Sequence, residues 1–192
     1  MQTTTPHLSA ADEPEFVRTP AVHYVSVLGS GAPGTDEFYR KKLLATEIAR
    51  ALGNTDEAIA EEIQYWYPEG SAAVEIADFY SVNPVPSLQY RVLATVPEGT
   101  TSDDLAAARS RVTTKQPSSD VLELFTMPEQ DVVQVMHHGR FADEFETLGR
   151  LGAFASRRGL QRTGPHHEVH LDAFTRQTPQ ETLRTILRDP VG

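Results

Sequence analysis

Two stretches of this chain follow the same plan, and that repetition limits its fold more than any other feature. Val22 to Leu28 is a β-branched and aromatic run ending in the turn Gly29-Ser30-Gly31-Ala32-Pro33-Gly34, and Asp131 to His137 is a similar run broken by Gly139. Each leads into the tripeptide Asp-Glu-Phe at the start of a helical pattern, Asp36-Glu37-Phe38 in the first case and Asp143-Glu144-Phe145 in the second. Each helix is followed by a strand with an unusual cluster, Tyr65-Trp66-Tyr67 or His166-His167-Glu168. One matching tripeptide can arise by chance, but the same order of elements around it argues for duplication. Two β-α-β-β units predict an α+β fold: an antiparallel sheet, helices on one side, a pseudo-two-fold axis and a central ligand cleft.

The local signals divide the chain accordingly. Residues 1–20 lack periodicity and read as a flexible arm, and 21–191 form the domain, its first half 21–113 and its second 121–191 across the polar linker from Thr114 to Asp120. Thr35 caps a helix with Phe38, Leu43, Leu44, Ile48 and Leu52 on its apolar face, stopped by Gly53. Ile63 to Gly70 reads as a strand with a turn, Ser71 to Ser87 as a loop that covers a cavity, Leu88 to Val96 as a strand, and Thr101 to about Thr113 as a helix. Val121 to Thr126 and Asp131 to His137 predict a hairpin. Ala142 to Arg158 predicts a helix with Phe145, Leu148, Leu151 and Phe154 or Ala155 inward and Gly159 as its C-cap. A helical turn at Thr178 to Glu181 and a strand from Leu183 to Arg188 close the chain.

Composition excludes several classes of function. A formal net charge of −10 without a Lys/Arg cluster argues against nucleic acid as a partner. No apolar run reaches membrane-spanning length and no signal pattern opens the chain, so a cytoplasmic location is expected. The absence of cysteine rules out thiolate metal sites and disulfides. Gly29-x-Gly31-x-x-Gly34 matches a dinucleotide fingerprint in letters, but no acid follows at the next strand's end and the later connections read as hairpins, so it is a plain turn.

The chemistry points to Glu168. On a strand, His166, Glu168 and His170 share one face while His167, Val169 and Leu171 share the other. That face could bind a metal with His137 or His138, but nothing else completes the ligand set, so no metal and no cofactor are expected. A salt bridge from Glu168 to Arg140, Arg162 or Arg176 is the plainer alternative. Tyr65, Trp66 and Tyr67 read either as core or as an aromatic wall for a planar ligand.

The residues that make up the second half carry a resemblance. Val132-Val133-Gln134-Val135-Met136-His137-His138-Gly139, Gly164-x-His166-His167-Glu168-Val169-x-Leu171 and Leu183-Arg184-Thr185-Ile186-Leu187-Arg188-x-Pro190-Val191 are similar to the GyrI-like small-molecule-binding family. The chain looks closest to the stand-alone branch that includes cyclopropanoid cyclopropyl hydrolases, and the match spans about 21 to 191, looser in the first half. Where that branch has Glu-Gly-Leu-Trp-Trp this chain has Glu62-Ile63-Gln64-Tyr65-Trp66, and for Gly-Pro-Tyr it has Gly139-Arg140-Phe141. Relatives fused to a DNA-binding module act as transcriptional sensors, whereas no helix-turn-helix is legible here.

The resemblance implies a hydrolase that opens the cyclopropane of planar DNA alkylators of the yatakemycin or duocarmycin type, for detoxification or self-resistance. The alternative it implies is a binding protein that sequesters planar or cationic hydrophobic drugs. Glu168, with a pKa raised by an apolar cleft, and Tyr65, or else Tyr67 or Tyr80 as the proton donor, are the expected catalytic pair. Trp66, Tyr67, Tyr80, His137, Phe141, His166 and His170 are the expected substrate-binding residues, and a hydrophobic planar small molecule is the expected partner.

Overall fold

Eight runs of β-branched, aromatic and alternating residues assemble into one antiparallel sheet in this computed structural model, which describes residues 5–56, 59–112 and 119–192. The strands are β1 (Glu15–Thr19), β2 (Val22–Ser30), β3 (Glu61–Trp66), β4 (Gln89–Thr95), β5 (Leu122–Met127), β6 (Gln130–His138), β7 (His166–His170) and β8 (Arg184–Pro190). Three α-helices accompany them: α1 (Asp36–Ala51), α2 (Ser102–Val112) and α3 (Glu144–Arg157). The strand order is β1-β6-β8-β7-β3-β4-β2-β5. The halves meet where β3 pairs with β7, and outward from that seam lie β4 and β2 on one side and β8 and β6 on the other. Glu15–Thr19, inside the segment read as an arm, forms the edge strand β1 against β6. The linker expected from Thr114 to Asp120 falls largely outside the described residues.

The expected β5–β6 hairpin does not form. β5 pairs with β2, and β6 pairs with β1 and β8, so the two strands occupy the eighth and second positions of the order. In a flat sheet those positions stand roughly 29 Å apart at six strand spacings, yet only Pro128 and Glu129 separate Met127 from Gln130, a reach of about 11 Å. The link from Thr19 to Val22 joins the first position to the seventh under the same restriction. The sheet therefore curls until its edges approach, and its concave face becomes a container.

That face is built in rows, because directly paired residues project to the same side. Val135, Leu187, Glu168, Ile63, Val92, Val27 and Leu122 are successive partners across seven strands. Glu168 is the one charged member of an otherwise apolar row. The neighbouring row carries His166, Tyr65, Tyr90 and Gly29. A Cβ on Gly29 would meet the Tyr90 ring at 2.3 Å, so the glycine makes room for the ring to lie across β2. Gly29→Ala is expected to cost about 1–3 kcal/mol, the usual penalty for overpacking, read as a lowered denaturation midpoint.

Helices α1 and α3 cover this face. Thr35 caps α1 by accepting from the Phe38 N–H at 3.2 Å, and Phe38, Leu44, Ala45, Ile48 and Ala49 pack against β2 and β4. Leu43, expected inside, is exposed. In α3, Leu148, Leu151, Phe154 and Ala155 are buried, but Phe145 is 64% exposed and Glu144 is 5% exposed. At 100° per residue, Phe145 stands roughly 90° from the centre of the Leu148–Leu151–Ala155 face, while Glu144 lies almost on it. Burying each large apolar side chain contributes about 1.5–3 kcal/mol. Those residues outweigh the cost of about 1–3 kcal/mol for an unpaired neutral polar group, and they set the helix's rotation. The segment from 171 to 183 contains turns but not the helical turn expected at Thr178, and β8 runs on to Pro190.

Candidate active site

The concave face encloses a cavity of about 380 Å³ between α1 and the start of α3. Glu168 and His170 of β7 form part of its floor with Tyr65 of β3, and Tyr80 reaches it from the long loop after β3. Phe38 and Tyr39 of α1 contribute one wall, and Phe141, Glu144 and Phe174 contribute the other. Pro33 and Gly34, from the glycine turn after β2, line its rim. The sheet's pairings are all antiparallel, which leaves that turn no parallel β-α-β crossover in which to act as a dinucleotide loop.

Glu168 is held from three directions. The Tyr80 hydroxyl donates to Oε1 at 2.6 Å, His170 Nε2 lies 3.0 Å from Oε2, and His166 Nε2 lies 3.8 Å from Oε1. Burial by itself would raise the Glu168 pKa, but His170, His166 and Tyr80 outweigh it, and the group sits below the ordinary carboxylate value. This corrects the expectation of a raised pKa: the cleft is apolar in its walls, not around this carboxylate. His166 is itself fixed by Asp189, whose Oδ2 lies 3.0 Å from Nδ1, both residues being fully buried. Burial lowers the His166 pKa, but the Asp189 carboxylate, with Glu168, reverses the effect and leaves it raised. Asp189 and His166 thus stand on the same face of the sheet as Glu168, with His166 bonded to Asp189 and within ion-pair range of Glu168.

The remaining wall is aromatic. The Phe141 ring lies 4.9 Å from Phe174 and 5.4 Å from His170, and Phe174 packs edge-on to Tyr39. Lys42 Nζ stands 3.5 Å from the Phe174 centroid and 2.6 Å from the Glu61 carboxylate, so this corner of the box already holds a paired cation. Arg176 clips the 171–183 segment across the rim, with bonds of 2.8 Å to both Asp36 and the Gly34 carbonyl.

Of the residues singled out in the sequence, Glu168, Tyr65, Tyr80, Phe141 and His170 line this cavity, and His166 stands directly behind it. Trp66 and Tyr67 line a different cavity with Arg162 and Pro165. His137 bonds Thr147 at 2.9 Å and the Arg140 carbonyl at 3.0 Å, which pins the Phe141 turn to α3. Among the described residues no group of three or more histidine or carboxylate side chains is placed to hold a metal ion, and no helix is long and apolar enough to cross a membrane. Glu144 was not read from the sequence as a site residue. The available signal was its spacing of four and seven residues before Leu148 and Leu151. Burial, then the charge of Glu168, push its pKa well above the carboxylate value.

A family model for the GyrI-like small molecule binding domain matches residues 12–191. The chain belongs to the GyrI-like family. No curated protein matches it in sequence. An uncharacterized conserved protein from Listeria innocua shares its fold with a TM-score of 0.78 at 24% identity, over 96% of this chain and 94% of that one. A hydrolase from Listeria innocua superposes with a TM-score of 0.76 at 22% identity over the same shares. The C-terminal domain of EcmrR follows at 0.62 and 11%, covering 94% of this chain and 97% of that one. At these identities the likenesses speak for the fold alone. The GyrI-like assignment makes this a small-molecule-binding fold, and its cavity beside Glu168 is lined mainly by aromatic side chains.

Proposed function

We propose that this GyrI-like protein is a hydrolase that opens the cyclopropane ring of planar DNA-alkylating molecules of the yatakemycin or duocarmycin type by adding water. The observation that carries the reading is a Glu168 carboxyl bonded by Tyr80 and His170 and facing an aromatic cavity large enough for a flat ring system. In such a substrate the cyclopropane is fused to a conjugated dienone. Glu168, which keeps lone pairs beyond those used by Tyr80 and His170, accepts a proton from water. The water oxygen bonds to the cyclopropane methylene, the strained C–C bond breaks, and its electrons move to the carbonyl oxygen, which becomes a phenolate. Tyr65 is the hydrogen-bond donor at that oxygen. Burial and the charge of Glu168 raise its pKa well above the ordinary phenol value, so it retains its proton and serves as a fixed donor. Phe141 and Phe174 flank the flat body. The proton taken by Glu168 returns to the phenolate through solvent, and the product lacks its electrophile.

A second reading, sequestration without turnover, is favoured by the carboxylates and aromatic rings around one cavity, a combination that also suits a hydrophobic cation. SAV2435, a fold relative at 13% identity and a TM-score of 0.52, has been solved with tetraphenylphosphonium. The two readings separate on mixing catalytic amounts of protein with a cyclopropane alkylator and following the ring-opened product. Many product equivalents per protein are expected, and capture of one equivalent without product would leave sequestration as the function.

A further inference from the structure

The ring opening described above leaves one buried acid without a task. Glu144 is the first residue of α3, lines the same cavity as Glu168, and keeps Oε1 buried with no hydrogen-bond partner. A helix N-terminus favours an anion by about 0.3–1 kcal/mol, at most roughly 2. Desolvation of a fully buried carboxylate displaces its titration by up to about 3–5 pH units, several times larger in free energy. Glu168, across the cavity, adds to it. The cavity thus holds two carboxyl groups in unlike settings: Glu168 is bonded by Tyr80 and His170, which favours its charged form, whereas Glu144 has an unpartnered buried oxygen, which favours its neutral form. The other titratable groups that line it are Tyr39, Tyr65, Tyr80 and His170.

A dienone cyclopropane does not need such an acid. Its leaving oxygen becomes a phenolate, whose conjugate acid titrates near 10, and a hydrogen bond suffices. Opening a saturated three-membered ring is different, because the leaving oxygen is an alkoxide nearly as basic as hydroxide, whose parent water has a pKa of about 15.7. That step requires a full proton, and a tyrosine held well above 10 is a poor source. A neutral carboxylic acid is a good one.

We propose that the Glu168 and Glu144 pair hydrates aryl-substituted epoxides to vicinal diols, a further activity of this cavity that rests on the reading of Glu168 as the group that activates water. Glu168 takes one proton from water, the water oxygen bonds to the benzylic carbon, and the C–O bond breaks. Glu144 gives its proton to the departing oxygen. Glu168 then returns a proton to Glu144 through solvent, and the sum is one water added to one epoxide with no change of oxidation state. The aromatic wall of Phe141 and Phe174 fits the aryl group.

The test uses purified full-length protein with trans-stilbene oxide, quantifying the diol against a protein-free control, and a parallel assay with a cyclopropane alkylator. Wild-type protein is expected to form diol catalytically. Glu144→Gln is expected to lower epoxide kcat/KM by about 100-fold or more, at least about tenfold more than it lowers cyclopropane opening, while Glu144→Asp recovers part of the loss. On wild-type protein, an alkaline fall in the epoxide rate that the cyclopropane rate does not share reports the same proton, independently of how the variants fold. No diol above the control overturns the proposal even where the cyclopropane is opened, and so does a Glu144→Gln variant with an undiminished diol rate. Diol formation with Glu144 dependence but no cyclopropane opening upholds the proposal and removes the alkylator reading alone.

Discussion

Glu168→Gln is expected to lower kcat/KM for ring opening by about 10²–10⁴-fold, the span that a positioned general base supplies, while the protein stays folded. The amide can still accept from Tyr80 through its oxygen and fills the same space, so the polar contacts at 2.6 and 3.0 Å change partner chemistry more than geometry. What is lost is the ability to take a proton. The pH dependence of the wild-type reaction carries a second check. Glu168 is held below its ordinary value, so it remains ionised as the pH falls toward 5, and kcat/KM is expected to stay level between about pH 7 and 5. Measuring both with one cyclopropane alkylator decides the role, because a Gln variant with near-normal turnover would exclude Glu168 as the base.

The second large effect lies on the opposite face of the sheet. Glu62 is fully buried, and it accepts from the Tyr24 hydroxyl at 2.9 Å and contacts His167 at 2.8 Å and His7 at 2.7 Å. Arg188, also buried, donates to the His7 carbonyl and to Gln134. Burial would raise the Glu62 pKa, but His7 and His167 hold it far below the ordinary range. Glu62→Ala leaves Tyr24, His167 and His7 without their shared acceptor and removes the negative charge that offsets buried Arg188, and removing one partner from a buried charged set costs about 3–5 kcal/mol. For a domain of this size that corresponds to a melting temperature lower by roughly 6–20 °C, measurable by circular dichroism.

The same cluster makes the fold sensitive to acid. Burial drives the His167 pKa down from 6.5 to about 4 despite the Glu62 carboxylate beside it. Between those values the unfolded chain binds a proton that the folded chain does not, so folding stability is complete above about pH 6.5 and falls as the pH drops toward 4. Denaturant titrations at several pH values are expected to show this slope, and His167→Gln is expected to flatten it. An unchanged slope in that variant would assign the acid sensitivity elsewhere.

Much of this protein was legible before its structure. Thr35 ahead of Asp36-Glu37-Phe38, Gly53 and Gly159 after helices, and the β-branched runs gave most elements because caps, turns and strands depend on near neighbours in sequence. Glu168 was legible because a carboxylate inside an alternating strand demands an explanation, and the family pattern points to the same residue. Tyr80 was less so, since nothing local to Ser71 to Ser87 states which strand the loop will cover. Phe145 and Glu144 exchanged roles because a shift of about 100° in a helix's rotation is settled by what packs against it, not by the presence of an aromatic residue in the pattern.

The sequence by itself determined the β-α-β-β order, the antiparallel α+β class and the strand that carries Glu168, since hydrophobic period and turn chemistry act over a few residues. Only the tertiary structure decided that β5 leaves β6 for β2, that the sheet curls into a container, and that Tyr80, His170 and His166 converge on Glu168 while Trp66 turns to another cavity. These are contacts between residues far apart in the chain. Their outcome, including one carboxyl in the cavity whose pKa is lowered and another whose pKa is raised, depends on burial and charge brought together by packing, which no single stretch of sequence contains.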